Sequence, residues 1–264
     1  MRGQECYPSG EFAWDSSDKD TKAVLLVGGM GTRLRSVVGG TPKPLAAVGE
    51  RPFLELLVGQ LRHQGIRKLV FCAGYLAGEI EREFGDGGRW GVAIEYSKEP
   101  SALGTAGAVK LAEPLLRDTP DFLVMNGDSF MQMDLRQLIE FHRRCRGIAS
   151  MAVVQMKNEK RYGTVQFAPD GRVSGFAEKG AGASSGFINA GVYVFDRRIF
   201  GHIPPGPASL EHDVFPKILN HGLFAAEQHG VFIDIGTPED YMRAQALREK
   251  LYDAAYTKET DSGH

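Results

Sequence analysis

Cysteine is scarce in this 264-residue chain: Cys6, Cys72 and Cys145 lie far apart, show no C-x-x-C spacing and are odd in number. That pattern excludes a disulfide framework and a zinc site, and it fits a reducing compartment. No apolar run approaches the roughly 20 residues that span a bilayer, and the first residues are polar and acidic where a signal peptide carries an apolar core. A cytosolic protein with no membrane partner is expected. Excess charge of one sign is also missing: the formal net charge is -2, so no basic field invites nucleic acid. The seven histidines show no ligand spacing, and no G-x-S-x-G nucleophile elbow is present. What remains, 42% hydrophobic and 24% charged residues, is enough for one large core.

Residues 1–20 lack any sustained period and read as a mobile leader, with the folded domain over 21–253 and a flexible tail at 254–264. Ala23 to Val27 is a short continuous apolar run, the mark of a strand buried on both faces of a parallel sheet. The apolar spacing of Phe53, Leu54, Leu57 and Leu61 predicts a helix ending near Gly65, and Leu69 to Ala73 predicts the next strand. This rhythm continues through a helix at 76–84, a strand at 92–96, a helix at 105–116, a strand at 122–125 and a helix at 135–146. Strands then crowd together at 148–156, 164–167, 173–177 and 190–195, with a hairpin turn at Asp170-Gly171. A helix from Glu211, a strand at 231–233 and a helix from Pro238 to Tyr252 end the folded part. The expectation is a single Rossmann-like three-layer α/β domain. Its mixed, mostly parallel central sheet would carry a small inserted antiparallel part.

The loop Gly28-Gly29-Met30-Gly31-Thr32-Arg33 follows the first strand directly, where backbone N–H groups can converge on an anion. It is no dinucleotide fingerprint, because Leu34 stands where the third glycine belongs, and it lacks the Gly-Lys-Ser/Thr ending of a Walker A loop. Thr41-Pro42-Lys43-Pro44 then fixes a lysine between two prolines that restrict the backbone. Arg33 and Lys43 supply the positive charge that a triphosphate requires, one as a planar fork and one as a point charge. Asn126-Gly127-Asp128 ends a predicted strand, and Asp234 closes another. Two carboxylates at a sheet edge suit a hard cation such as Mg2+, although either could instead be a turn or helix-capping residue.

The pairing of G-x-G-T-R-L with P-K-P resembles the nucleotidyltransferase family that makes nucleotide sugars. Further segments over about 22–245 match it: Glu99-Pro100 with Leu103-Gly104-Thr105-Ala106-Gly107, Tyr162-Gly163-Thr164, Glu178-Lys179 and Asn189-Ala190-Gly191. The resemblance implies that Gly28, Gly29, Gly31, Thr32, Gly104 and Thr105 bind the nucleotide, with small residues admitting a flat base. It implies Mg2+ on Asp128 and Asp234, and a sugar-phosphate pocket from Gly163, Glu178, Lys179 and Asn189, with Lys179 on the phosphate.

The expected reaction is in-line attack of a sugar-phosphate oxygen on the α-phosphorus of an NTP. The nucleophile is already anionic, so catalysis reduces to gathering two polyanions and neutralising the pyrophosphate that leaves. Arg33, Lys43 and Lys179 are the candidate catalytic residues. The pattern looks most like heptose-1-phosphate guanylyltransferases, implying GTP and D-glycero-α-D-manno-heptose 1-phosphate in surface-polysaccharide synthesis. Mannose-1-phosphate guanylyltransferases, and uridylyltransferases for glucose or N-acetylmuramate 1-phosphate, share most of these motifs. A catalytically silent nucleotide-sugar-binding paralogue would lack some of Arg33, Lys43, Asp128 and Asp234, and all four are present. Length leaves no room for an appended left-handed β-helix, so one activity is expected, in a chain that can form homo-oligomers.

Overall fold

The computed structural model describes residues 21–29, 31, 34–157, 163–177 and 185–256. The chain runs through β1 (Lys22–Leu26), α1 (Arg35–Val38), a short ribbon of β2 (Ala47–Val48) and β3 (Arg51–Pro52), α2 (Phe53–His63), β4 (Lys68–Ala73) and α3 (Ala77–Phe84). β5 (Ala93–Lys98), α4 (Gly104–Leu111), β6 (Asp121–Asn126), β7 (Ser129–Met131) and α5 (Leu135–Cys145) follow. The strand-rich part comprises β8 (Ala149–Lys157), β9 (Thr164–Phe167), β10 (Val173–Ala177) and β11 (Ser185–Asp196). α6 (Phe215–Ile218), β12 (Leu223–Gln228), β13 (Phe232–Asp234), α7 (Pro238–Ala246) and α8 (Arg248–Tyr256) complete it.

Nine strands form one mixed sheet. β5, β4, β1 and β6 are mutually parallel, and β11 joins β6 antiparallel. Alternation along the central strands sorts side chains to two faces. Ala23, Leu25, Leu69, Phe71, Leu123 and Met125 meet α2, α3, α5 and α8 on one side. Val24, Val70, Cys72, Phe122 and Val124 meet α4 and α6 on the other. These two buried layers make the expected three-layer architecture, and the antiparallel strands extend the same sheet.

β11 shapes the site. Its C-terminal half pairs with β6 through Val192–Asp196, while Ile188, beyond a register shift, pairs with Thr164 of β9. β8 flanks both halves on the other side. β6 therefore ends at Asn126 while β11 continues, which leaves an opening beside β11. Gly191 sits in the shift with φ +74, and a Cβ there would meet Ser129 Oγ at 2.6 Å. A larger residue would be strained by both backbone and neighbours.

Several boundaries differ from the sequence reading. The predicted C-terminal helix breaks at Leu247 into α7 and α8, and α8 buries Ala254 and Ala255, so the packed domain runs past 253 to Tyr256. The predicted helix at 105–116 ends its α part at Leu111 and continues as a 3-10 turn over Glu113–Leu116, with Pro114 at its start. β12, unpredicted, pairs parallel with β8. Residues 1–20 and 257–264, the expected leader and most of the expected tail, lie outside the described residues.

Candidate active site

A cleft of about 280 Å³ opens at the carboxyl ends of β1, β4 and β6. Gly28 and Gly29 after β1, Gly104 and Thr105 at the start of α4, and Asn126-Gly127-Asp128 after β6 line it, with Lys43 and Glu99 from intervening segments. Strand ends of an open α/β sheet are where such folds receive ligands. The Gly127 N–H donates to the Leu26 carbonyl at 2.9 Å, which ties the loop after β6 to the end of β1. Gly29 faces open space, whereas a Cβ on Gly28 would strike Glu99 and Gly74.

Charge concentrates at one end of this cleft. Pro42 and Pro44 set a short 3-10 turn, Lys43–Leu45, and Lys43 Nζ donates to Asp128 Oδ2 at 2.5 Å. The ribbon of β7 and β13 sets Asp234 opposite Ser129, and the Ile235 N–H donates to the Asp128 carbonyl at 2.9 Å. Asp234 is thereby brought beside Asp128 from a separate part of the chain. Burial, then the neighbouring Asp128 charge, pushes the Asp234 pKa up to about 6, against the opposing pull of Lys43 and the Gly236 N–H. A Cβ on Gly236 would lie 2.7 Å from Asp234 Oδ1 and 3.5 Å from Lys43 Nζ, so all three charged groups share one small volume. Thr237, not Asp234, caps α7, accepting from the Asp240 N–H at 3.2 Å, which removes the capping role as a reason for Asp234.

Two neighbouring carboxylates are a donor set that could hold a hard cation, which would complete its shell from phosphate and water. No group of three or more His, Cys, Asp or Glu that could hold a metal occurs among the described residues.

Glu99 was quoted in the sequence only as part of a motif, yet its carboxylate lines the cleft. Its Oε2 accepts from the Leu103 N–H at 2.9 Å, and burial raises its pKa above the ordinary carboxylate range, partly offset by that bond. The sequence signal available was an acid five residues before Gly104-Thr105, directly after a strand.

The glycines of the Leu103-to-Gly107 segment have a packing reason of their own. Gly104 has φ +69, and a Cβ there would stand 2.6 Å from the Ala208 carbonyl oxygen; one on Gly107 would stand 2.7 Å from that of Gly206. Their smallness admits the 206–208 backbone, to which Ala106 and Gly107 donate N–H bonds. Thr105 lines the cleft, but its hydroxyl is engaged by Glu211 and Leu210. Asn189 likewise donates Nδ2 to Tyr193 at 2.7 Å and accepts from the Gly191 N–H at 2.9 Å, which leaves one donor and one lone pair for a ligand.

Gly31 packs on the Lys43 stem, and Gly163 lies exposed before β9, outside the cleft lining. Thr32, Arg33, Glu178 and Lys179 lie outside the described residues. The basic run at the end of α5 is structural: Arg143 grips Asp121 at 2.8 Å, and His142 is buried against Ser150, where desolvation lowers its pKa to about 4. No helix among the described residues is long and apolar enough to cross a membrane.

With this geometry in hand, comparison with known proteins is specific. Residues 22–250 match the family model described as nucleotidyl transferase. The chain is 40% identical over 229 residues to D-glycero-alpha-D-manno-heptose 1-phosphate guanylyltransferase of Aneurinibacillus thermoaerophilus, covering 85% of this chain and 96% of that protein. It is 38% identical over 229 residues to mannose-1-phosphate guanylyltransferase of Mycobacterium tuberculosis, covering 85% of this chain but 63% of that protein. The chain thus spans less than two thirds of that mannose relative. The crystal structure of HddC from Yersinia pseudotuberculosis complexed with GMP-PN superposes with a TM-score of 0.78 at 32% identity, covering 86% of this chain and 99% of that one.

Proposed function

Because the chain belongs to the nucleotidyl transferase family, we propose that it transfers GMP from GTP to a sugar 1-phosphate, releasing pyrophosphate. D-glycero-α-D-manno-heptose 1-phosphate is the favoured acceptor, and the product would serve surface-polysaccharide synthesis from the cytoplasm. The observation that carries the reading is the convergence of Lys43, Asp128 and Asp234 at one end of the glycine-lined cleft.

In this reading a phosphate oxygen of the sugar attacks the α-phosphorus from the side opposite the pyrophosphate. That oxygen is already ionised, so no residue need remove a proton. Asp128 and Asp234 would hold Mg2+, which supplies charge neutralisation for the phosphates when bound. Lys43, which donates to Asp128 Oδ2, would supply positive charge to the triphosphate. Arg33 is assigned to the same phosphates and Lys179 to the sugar phosphate. Gly28, Gly29, Gly31 and Thr32 offer backbone donors, Gly104 and Thr105 flank the nucleoside, and Gly163, Glu178 and Asn189 line the sugar.

Two things favour guanine. The relatives named above are guanylyltransferases, and Glu99 presents an acceptor-only carboxylate to the cleft. Guanine carries two adjacent N–H donors on its pairing edge, which a carboxylate accepts together, whereas a uracil edge offers a single N–H flanked by two carbonyl oxygens that the carboxylate repels. Mannose 1-phosphate is the second acceptor to test, on the strength of the 38% identical relative.

The test is pyrophosphate release from each common NTP with Mg2+ and a panel of sugar 1-phosphates. GTP with the heptose phosphate should be fastest, and Glu99→Gln should erode the preference for GTP by about tenfold, the worth of one charge-assisted hydrogen bond. No pyrophosphate from any pair would overturn the reading.

A further inference from the structure

One carboxylate near the cleft has no part in the scheme above. Glu211 stands in a π turn, Leu210–Val214, a backbone form that is rare and concentrated at functional sites. The segment before it is fastened to the start of α4: the Ala208 carbonyl accepts from the Ala106 and Gly107 N–H groups at 2.9 and 3.2 Å, and the Ala208 N–H donates to Leu103 O at 2.8 Å. The Glu211 side chain is thus delivered between α4 and β11.

There it collects three hydroxyls. Thr105 Oγ1 donates to Glu211 Oε2 at 3.2 Å, Ser209 Oγ donates to the same oxygen at 2.9 Å, and the Tyr193 hydroxyl donates to Oε1 at 3.5 Å. Thr105 is fixed from the other side as well, accepting from the Leu210 N–H at 2.8 Å. Tyr193 is fully buried; burial, then the Glu211 charge, keeps its hydroxyl protonated and therefore a donor. That hydroxyl accepts from Asn189 Nδ2 at 2.7 Å and from the Asn126 amide.

Two members of this knot stand in the walls of the cleft. Thr105 and Asn126 line it. Asn126 adjoins the Asp128 loop, and its Oδ1 is buried without a partner among the described residues. Asn189 lies on the stretch of β11 that turns from β6 toward β9. The chain separations, 106 residues from Thr105 to Glu211 and 18 from Tyr193, mean that no local structure requires these contacts.

We propose that Glu211 is a positioning residue that locks the nucleotide wall to the sugar wall, so that one carboxylate sets the relative placement of both substrates. The inference rests on the functional reading above. Glu211 itself touches neither substrate; it acts through Thr105 on one side and through Tyr193, Asn126 and Asn189 on the other.

The experiment compares KM for GTP, KM for the best sugar 1-phosphate, kcat and the unfolding temperature in Glu211→Gln, Tyr193→Phe, Thr105→Val and Thr105→Ser. The first three should raise both KM values by about tenfold to a hundredfold, the range for losing a hydrogen bond to an ionised group. Thr105→Ser, which keeps the hydroxyl, should bring both KM values back from those of Thr105→Val toward the parent. Combining Glu211→Gln with Tyr193→Phe should be little worse than the poorer single change, because both cut one link. The proposal is overturned by any of four results: KM moving for one substrate only, a lowered unfolding temperature with unmoved KM, multiplying defects in the double variant, or failure of all three disruptive variants to fold. A parent inactive across the whole substrate panel strikes the functional reading, whereas an active parent with unmoved variants strikes the coupling alone.

Discussion

The two polar centres beside the cleft are built on opposite principles. Around Asp128 and Asp234, two carboxylates share one lysine, and Asp234 is held so unfavourably that its pKa rises to about 6. Around Glu211, three hydroxyls and one carboxylate satisfy one another, with Tyr193 fully buried at the centre. Unpaired charge costs stability and is tolerated where an incoming ion will balance it. A satisfied network rigidifies and belongs where walls must not shift. The contrast separates a place that receives from a place that holds.

The strongest way to break this contrast is Asp128→Asn. Turnover should fall by about 100 to 1,000-fold, the usual cost of removing a preorganised charge-stabilising group, while circular dichroism stays unchanged. Arg33→Ala should fall in the same range. Near-normal turnover in either variant would mean that the charged end is not where the phosphates react.

Asp234 offers the next largest effect. Its pKa in the folded protein lies above the usual carboxylate value, so between about pH 4 and pH 6 the folded state binds a proton that the unfolded state has lost. On this account stability declines as pH rises through that window, by on the order of 2 kcal/mol. Asp234→Asn should flatten the decline in denaturant titrations, and Mg2+ should raise the unfolding temperature more at pH 7.5 than at pH 5. A variant with an unaltered pH profile would remove the claim of unfavourable charge.

Gly104→Ala probes the holding side. Positive φ and the approach to the Ala208 carbonyl together predict a loss of about 1–3 kcal/mol of stability in urea unfolding, with KM for both substrates rising. Smallest of all should be Lys98→Ala, which removes an exposed ion pair with Glu81 at 2.7 Å. It should cost less than about 1 kcal/mol and leave turnover alone, which would sharpen the view that charge matters here by location.

The sheet was legible because buried parallel strands announce themselves as apolar runs, as at Ala23–Val27 and Phe122–Met125. β12 was not, since Leu223–Ala226 is too short an apolar run to tell strand from helix, and only its pairing with β8 decides the matter. Local motif chemistry singled out Lys43 for the triphosphate and Asp128 for Mg2+; that their side chains meet is visible only in the structure. It did not show that Gly104 and Gly107 are also constrained by the distant 206–208 backbone. Glu99 lay within a recognised segment but had no visible environment, and Glu211 and Tyr193 had no motif at all. Their meaning exists only in contacts between residues far apart along the chain.

β11 changes neighbours without interruption, running beside β6 over one half and meeting β9 over the other. A single twelve-residue backbone is therefore the common rail of both compartments. At about 3.3 Å per residue, the span between them is counted in residues along a stiff ruler. Inserting or deleting one residue near Asn189 would change that count and reverse which face each later side chain presents. The separation of the two compartments is consequently a quantity written into one strand, and no hinge between domains is needed to reproduce it in each folded molecule.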